Sequence, residues 1–148
     1  MAVIYDDLSL ITDIKVTFPP QNFSSTAAGT AVLVTGVGSN MLNALLNVGA
    51  VSSFTSLVVK MQASPTTTDG DLVDCDNATF TTVTAAQTSQ MISFQIPPAL
   101  SSSANPNIYV RAYATLVGTS CYMAVNVLGC KRMPNPSLSY QAAPPTIN

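Results

Sequence analysis

Four carboxylates near the middle of the chain form its densest group of ionisable side chains. Carboxylate oxygens are the ligands that Ca²⁺ prefers in proteins, so a cation site is one interpretation of this group. The spacing lacks the central glycine and the twelfth-position acid of an EF-hand loop. The run Asp-Gly-Asp also has the composition of a solvated turn, and we favour that interpretation. The group consists of Asp69, Asp71, Asp74 and Asp76.

The other reactive residue types do not assemble into a catalytic set. The chain has no His, no Glu and no Trp, which excludes Ser-His-Asp and Cys-His nucleophiles and zinc sites of the Cys/His type. An aspartic dyad needs two carboxylates that share a site, and nothing brings Asp6, Asp7 or Asp13 to the central group. There is no Gly-rich phosphate loop. We therefore expect a protein that is not an enzyme and that uses no cofactor.

The three cysteines are Cys75, Cys121 and Cys130. If the segment between the last two is a strand, nine steps of roughly 3.3 Å separate them by about 30 Å. A disulfide needs Cα atoms within about 7 Å of each other. We therefore predict three reduced thiols, two of them in the core or in strands.

Composition limits the partners of the chain. Its 148 residues suit one domain. Charged residues make up 8%, against about 25% in an ordinary soluble domain. Nucleic-acid binding draws on phosphate neutralisation, so five basic residues and a net charge of −2 argue against it. No run approaches the roughly 18 apolar residues of a membrane span, and no helix with a cationic face can be drawn. We expect neither nucleic acid nor a membrane as partner.

Alternation of apolar and polar residues is the dominant pattern, and it predicts strands. Segment 41–48 is less regular, because its four-residue Asn spacing also suits a helical turn; we predict a strand. Proline pairs at 19–20 and 97–98 are expected to end strands. The short segment Gly118-Thr119-Ser120 predicts a hairpin turn. About eight strands with polar connections predict an all-β, antiparallel β-sandwich of the jelly-roll type. The alternating runs are 14–18, 31–35, 56–63, 91–96, 108–116 and 121–127.

The ends of the chain differ from its middle. We predict a single β-sandwich domain over residues 1–130, with 1–9 as a possible N-terminal arm. Residues 131–148 contain four prolines, which cannot donate ladder hydrogen bonds, so this segment is predicted to be an extended Pro-rich C-terminal arm. A frayed tail is one interpretation, and an arm that lies on a neighbouring subunit is the other. The segment contains apolar side chains, which favour the interpretation as an arm on a neighbouring subunit. They are Met133, Leu138, Tyr140 and Ile147.

Arg111 is a charge inside a strongly patterned strand. Period-two spacing places Tyr109 and Tyr113 on the same face as Arg111. Tyr and Arg are enriched at protein interfaces. The three residues are therefore a candidate contact patch, although the same composition also suits an ordinary outward strand face.

Two stretches of sequence resemble a known family. Residues 54–64, followed by Asp69, and residues 109–120, with Tyr-x-Arg before Gly-Thr, resemble small virion structural proteins of tailed bacteriophages. The likeness is greatest to jelly-roll capsid decoration (cement) proteins, and it covers residues 54–130. It implies a protein made in the host cytoplasm that binds the outside of the capsid. There it would stabilise contacts between major capsid protein subunits, often as a dimer or trimer.

Two other functions remain open on the sequence. One stays within the virion: a tail, head-tail connector or fibre-associated β domain. The other is a carbohydrate-binding β-sandwich module, which would stack exposed aromatic rings on sugar faces. The absence of Trp and an aromatic content of 7% count against the carbohydrate module.

Overall fold

The computed structural model describes residues 12–34, 41–100 and 107–130. Strands account for most of these residues, which confirms the all-β prediction, and 41–48 is part of a strand. Short 3-10 turns occur at Asp69–Asp71 and Pro98–Leu100. No helix in these ranges is long and apolar enough to cross a membrane. The strands are β1 (Thr12–Phe23), β2 (Ala27–Ala28), β3 (Val32–Leu33), β4 (Met41–Ser64), β5 (Val73–Thr79), β6 (Thr88–Gln95) and β7 (Tyr109–Cys130).

Two long strands form the centre of the sheet. β4 has 24 residues and β7 has 22, and they pair antiparallel from Asn43↔Leu128 to Ser64↔Tyr109. A straight strand of 24 residues would be about 80 Å long, far more than a domain of this size can span. The pairing shifts register twice near the middle, between Val48 and Val51 and again between Phe54 and Ser56. At these irregularities the two strands bend together.

The bend changes which residues of each long strand face the core. In β4 the buried apolar residues have even numbers before the bend, such as Leu46, and odd numbers after it, such as Val59. β7 shows the same change, from Val110 to Val125. A register slip of one residue moves every side chain to the other face of a strand. The bulges therefore compensate for the bend and keep the apolar face of both halves on the same core.

Shorter strands divide between the two halves. The first half-sheet runs β1, β7 (121–130), β4 (41–48), β6; the second runs β2 with β3, β7 (109–117), β4 (56–64), β5. Numbering these eight segments in chain order gives 1-8-3-6 and 2-7-4-5. This is the strand order of a jelly roll, made here from one continuous folded sheet.

The core lies between the two half-sheets. It is one cluster of buried side chains that includes Leu46 and Phe94 from the first half-sheet and Val59 and Val110 from the second. Each of these four residues is at most 1% exposed. Because neither half-sheet has a separate core, the structure is a single sandwich. This confirms the predicted β-sandwich.

The prolines at 19–20 do not end β1, contrary to the prediction. The strand continues to Phe23, but its pairing passes from Phe18↔Val125 directly to Gln21↔Met123. β1 is the edge strand of its sheet. Proline is tolerated at an edge or in a bulge because no ladder hydrogen bond is lost there.

The predicted hairpin at Gly118-Thr119-Ser120 is also wrong. β7 runs through these residues without reversing, since Val117 and Ser120 both pair with the same partner strand, β4. Gly118 instead lies at the bend, with φ of 145°. Two other elements differ from expectation: β3 covers only part of 31–35, and β5 follows the acidic turn where no strand was predicted.

Both predicted arms lie outside the described residues. Residues 1–9 and the C-terminal segment 131–148 therefore stay predictions, as does the boundary between domain and arm at residue 130. The candidate contacts Met133, Leu138 and Tyr140 belong to this segment.

Candidate interaction surfaces

The outer face of the second half-sheet carries the predicted Tyr-Arg-Tyr patch. Val110 and Ala112 point into the core, so the alternate residues Tyr109, Arg111 and Tyr113 point away from it. In register they lie opposite Ser64, Gln62 and Lys60 of β4. The structure therefore brings the three residues to one face, as their spacing predicted.

Arg111 is held by partners within its own chain. Its Nε donates to Oε1 of Gln62 at 3.1 Å, and Nη1 forms an ion pair with a carboxylate oxygen of Asp69. Only 9% of the residue is exposed, whereas the Asp69 side chain is 85% exposed. The charge of Arg111 is thus satisfied before any partner binds. Contact of this patch with another protein stays a prediction.

The same network continues across to β5. Nε2 of Gln62 donates to Oδ1 of Asp74 at 2.9 Å, and Nζ of Lys60 donates to Oδ2 of Asp74 at 2.7 Å. The hydrogen bonds from Lys60 and Gln62 lower the pKa of Asp74. Nζ of Lys60 also lies 5.5 Å from the centroid of the Tyr113 ring. We call this group of paired charges the charged face.

Three residues of the acidic group bind three different partners within the chain. Asp69 pairs with Arg111 and Asp74 with Lys60, while Asp71 accepts from the hydroxyl of Thr66 at 2.7 Å. Asp69–Asp71 is a 3-10 turn, in agreement with the turn interpretation. Within the described ranges, no group of three or more His, Cys, Asp or Glu is placed to hold a metal ion.

Replacing Arg111 should test how far the charged face stabilises the sandwich. Arg111→Met keeps the aliphatic stem and removes the ion pair together with the hydrogen bond to Gln62. We expect a loss of about 1–2 kcal/mol in the free energy of unfolding, measured by urea denaturation. Lys60→Met is the matched control, because the side chain of Lys60 is more exposed than that of Arg111, and it should cost less than about 1 kcal/mol. Equal losses would contradict this ranking.

The two buried thiols are unreactive. Cys75 and Cys121 are both free and buried. Burial, followed by the nearby charges of Asp74 and Asp76, raises the pKa of Cys75 to about 12, and burial also raises the pKa of Cys121. Both thiols therefore stay protonated and unreactive near neutral pH. Cys121 and Cys130 lie on the same strand, β7, as predicted.

Among the residues that the structure describes, none on the outer face of the first half-sheet is charged, and we call this surface the neutral face. Its outward positions alternate with the core residues of β4 and β7 and lie in register across the four strands. Apolar side chains, amides and hydroxyls share this surface. The residues are Ile14, Val16, Asn43, Leu45, Asn47, Ser89, Met91, Ser93, Tyr122, Ala124, Asn126 and Leu128.

Large apolar side chains are exposed on the neutral face. Met91 is 68% exposed, Ile14 60% and Val16 46%. Leu45 lies directly opposite Met91, and Leu128 lies directly opposite Ile14, so all four strands contribute to one surface. We call these five residues the apolar patch. None of its residues was predicted from the sequence to form a contact.

The polar groups of the neutral face hold neighbouring strands together. Ser89 donates to the side-chain oxygen of Asn47 at 2.8 Å, and Ser93 makes the same bond to Asn43 at 2.5 Å. Each bond joins β6 to β4. The neutral face therefore has a fixed arrangement of uncharged groups and can be covered without removing any ion from water.

Comparisons with known proteins give no family for this chain. No family model matches it, and no curated protein matches it. Among solved structures it is similar to a carbohydrate-binding module of a family 9 glycoside hydrolase from Ruminococcus flavefaciens. That likeness has 11% identity and a TM-score of 0.39, and covers 78% of this chain and 98% of the module. It is also similar to a chain of the Cowpea Mosaic Virus empty virus-like particle, with 17% identity, a TM-score of 0.38, and coverage of 90% and 89%.

Proposed function

We propose that this protein is a non-enzymatic virion structural protein that decorates the outside of a phage capsid. It would bind major capsid protein subunits and stabilise the contacts between them. The observation that carries this proposal is the apolar patch on a sheet face where no described residue is charged. The resemblance of residues 54–130 to decoration proteins supplies the class of partner.

The two outer faces of the sandwich offer different surfaces to a partner. On the charged face, Arg111 and Lys60 already have carboxylate partners. On the neutral face, Met91, Ile14 and Val16 leave apolar surface in water. Contiguous exposed apolar surface marks sites of protein association, and the centres of interfaces are depleted in charge. The neutral face is therefore the better candidate for the capsid contact.

A repeated shell strengthens such a contact. If decoration proteins associate as dimers or trimers, one oligomer binds several capsid subunits at once. Its avidity then exceeds the affinity of a single contact. A single interface of roughly 800 Å² per partner suffices for specific attachment if it packs well. The predicted C-terminal arm would add to this area.

Met91→Asp should abolish most capsid attachment. The substitution places a carboxylate on the most exposed residue of the apolar patch, where binding would remove it from water without a partner. Shells of the major capsid protein of the same virion, assembled without this protein, would be mixed with each variant and sedimented. We expect occupancy to fall at least tenfold at a protein concentration that saturates binding of the unmodified chain.

Val73→Asp is the matched control for this experiment. Val73 is an exposed apolar strand residue, 45% exposed, on the second half-sheet. Its variant should bind shells like the unmodified protein. Unchanged occupancy with Met91→Asp, together with an unchanged circular dichroism spectrum, would refute the proposed contact.

A further inference from the structure

A groove of about 350 Å³ lies at the end of the neutral face that adjoins the bend. Its volume is at the lower limit of small-molecule sites, which are commonly about 300–1,000 Å³. Small residues, an aromatic ring and two amides line it. The lining includes Pro20, Asn47, Gly49, Tyr122, Ala124 and Asn126.

The ring of Tyr122 is a fixed platform at one end of the groove. Its hydroxyl donates to the carbonyl oxygen of Pro20 at 3.2 Å, which ties β7 to β1. A Cβ added at Gly49 would lie 3.6 Å from Cδ1 of Tyr122, so the ring lies close beside the glycine backbone. The residue is nevertheless 45% exposed. An exposed ring held in one orientation can stack on a flat apolar surface at little entropic cost.

The amides supply directional hydrogen bonds beside this platform. Asn47 lies directly opposite Ala124 in the pairing of β4 with β7, and Asn126 follows two residues later on the same face. The side-chain oxygen of Asn47 is fixed by Ser89, and its amino group has no acceptor in the described part of the chain. The amide of Asn126 makes no hydrogen bond there either. Both amides are available to a ligand that carries donors and acceptors together.

The chemistry of the groove selects the ligand class. Among the described residues, none that lines it carries a charge, so none of them compensates a phosphate, a sulfate or a carboxylate. A ring platform beside unpaired amides suits a molecule with an apolar face and hydroxyls around its rim. We propose that this groove binds one or two residues of a neutral saccharide. The groove adjoins the apolar patch, because Asn126 lies in register between Val16 and Leu45, so a saccharide would bind the chain when it is free of the capsid.

The test is a titration of the full chain, labelled with ¹⁵N, with maltose, cellobiose, lactose and N,N′-diacetylchitobiose. We expect at least one disaccharide to shift the amide resonances of Tyr122, Ala124 and Asn126 in a saturable manner. Sialyllactose would serve as the charged probe, and its carboxylate should weaken binding relative to lactose. No saturable shift with any of the four neutral disaccharides would overturn the proposal.

Variants separate a built site from weak surface association. Some disaccharide is expected to shift these resonances, and Tyr122→Ala should weaken its binding at least tenfold. Asn126→Ala should weaken the same binding severalfold without loss of the fold. Tyr122→Phe keeps the ring and should retain most of the affinity. Tyr113→Ala removes an aromatic ring from the opposite face and should leave binding unchanged. Equal binding by the Tyr122→Ala and unmodified chains would refute the site.

Discussion

Leu46→Asp and Val59→Asp should each leave no measurable folded protein, whereas Leu45→Asp and Val58→Asp should still fold. Leu46 and Val59 are completely buried, on opposite sides of the bend in β4. An unpaired carboxylate in the core costs several kcal/mol, in addition to the lost apolar contact. A small domain has only about 5–15 kcal/mol of stability to lose.

The neighbouring residue supplies a chemically identical control at each site. Leu45 and Val58 are half-buried on the outer faces, where a carboxylate reaches water, so we expect losses below about 2 kcal/mol. Soluble yield, circular dichroism and urea denaturation would report the outcome. A folded Val59→Asp variant beside an unfolded Val58→Asp variant would mean that β4 does not change its buried face at the bend, and the sandwich as described would be wrong.

Gly118→Ala should destabilise the protein by about 2–4 kcal/mol. The φ of Gly118 is 145°, which residues with a Cβ rarely adopt. An added Cβ would also lie 2.7 Å from the carbonyl oxygen of Ser53 and 2.8 Å from Cα of Phe54. These are backbone atoms of the partner strand, so the strands must separate to relieve the contact. The effect should appear as a lower denaturation midpoint with a nearly unchanged m-value.

Gly49→Ala is the matched control on the other long strand. A Cβ there meets its nearest neighbours at 3.6 Å, an ordinary van der Waals distance. Because alanine also restricts the unfolded chain, we expect this variant to change stability by less than about 1 kcal/mol. Equal losses at the two glycines would show that the bend does not depend on the backbone freedom of Gly118.

Local patterns predicted much of the fold. Alternation is visible wherever one strand face meets the core and the other meets solvent, as in 56–63 and 108–116. The same rule placed Tyr109, Arg111 and Tyr113 on one face. The strand β5 was not predicted, because its sequence has the composition of a polar turn, with Asp74 and Asp76 beside a cysteine.

Long-range register accounts for what the sequence did not reveal. A Gly-Thr-Ser segment suits a hairpin and a bend equally well, and only its pairing with β4 distinguishes them. The partner of Arg111 is Asp69, 42 residues away. The turn Asp69–Asp71, which was predicted only to be solvated, therefore contacts strand β7. The apolar patch is spread over four strands that are distant in sequence, and no local window contains it.

Hydroxyl-radical footprinting of the free and shell-bound protein tests the proposed function most directly. Met91 is highly reactive and exposed, whereas Met61 and Met123 are buried and provide an internal baseline. We predict that shell binding protects Met91 strongly and leaves the reactivity of Tyr109 and Tyr113 unchanged. Unaltered oxidation of Met91 with protection of Tyr109 and Tyr113 would place the capsid contact on the charged face and contradict the account.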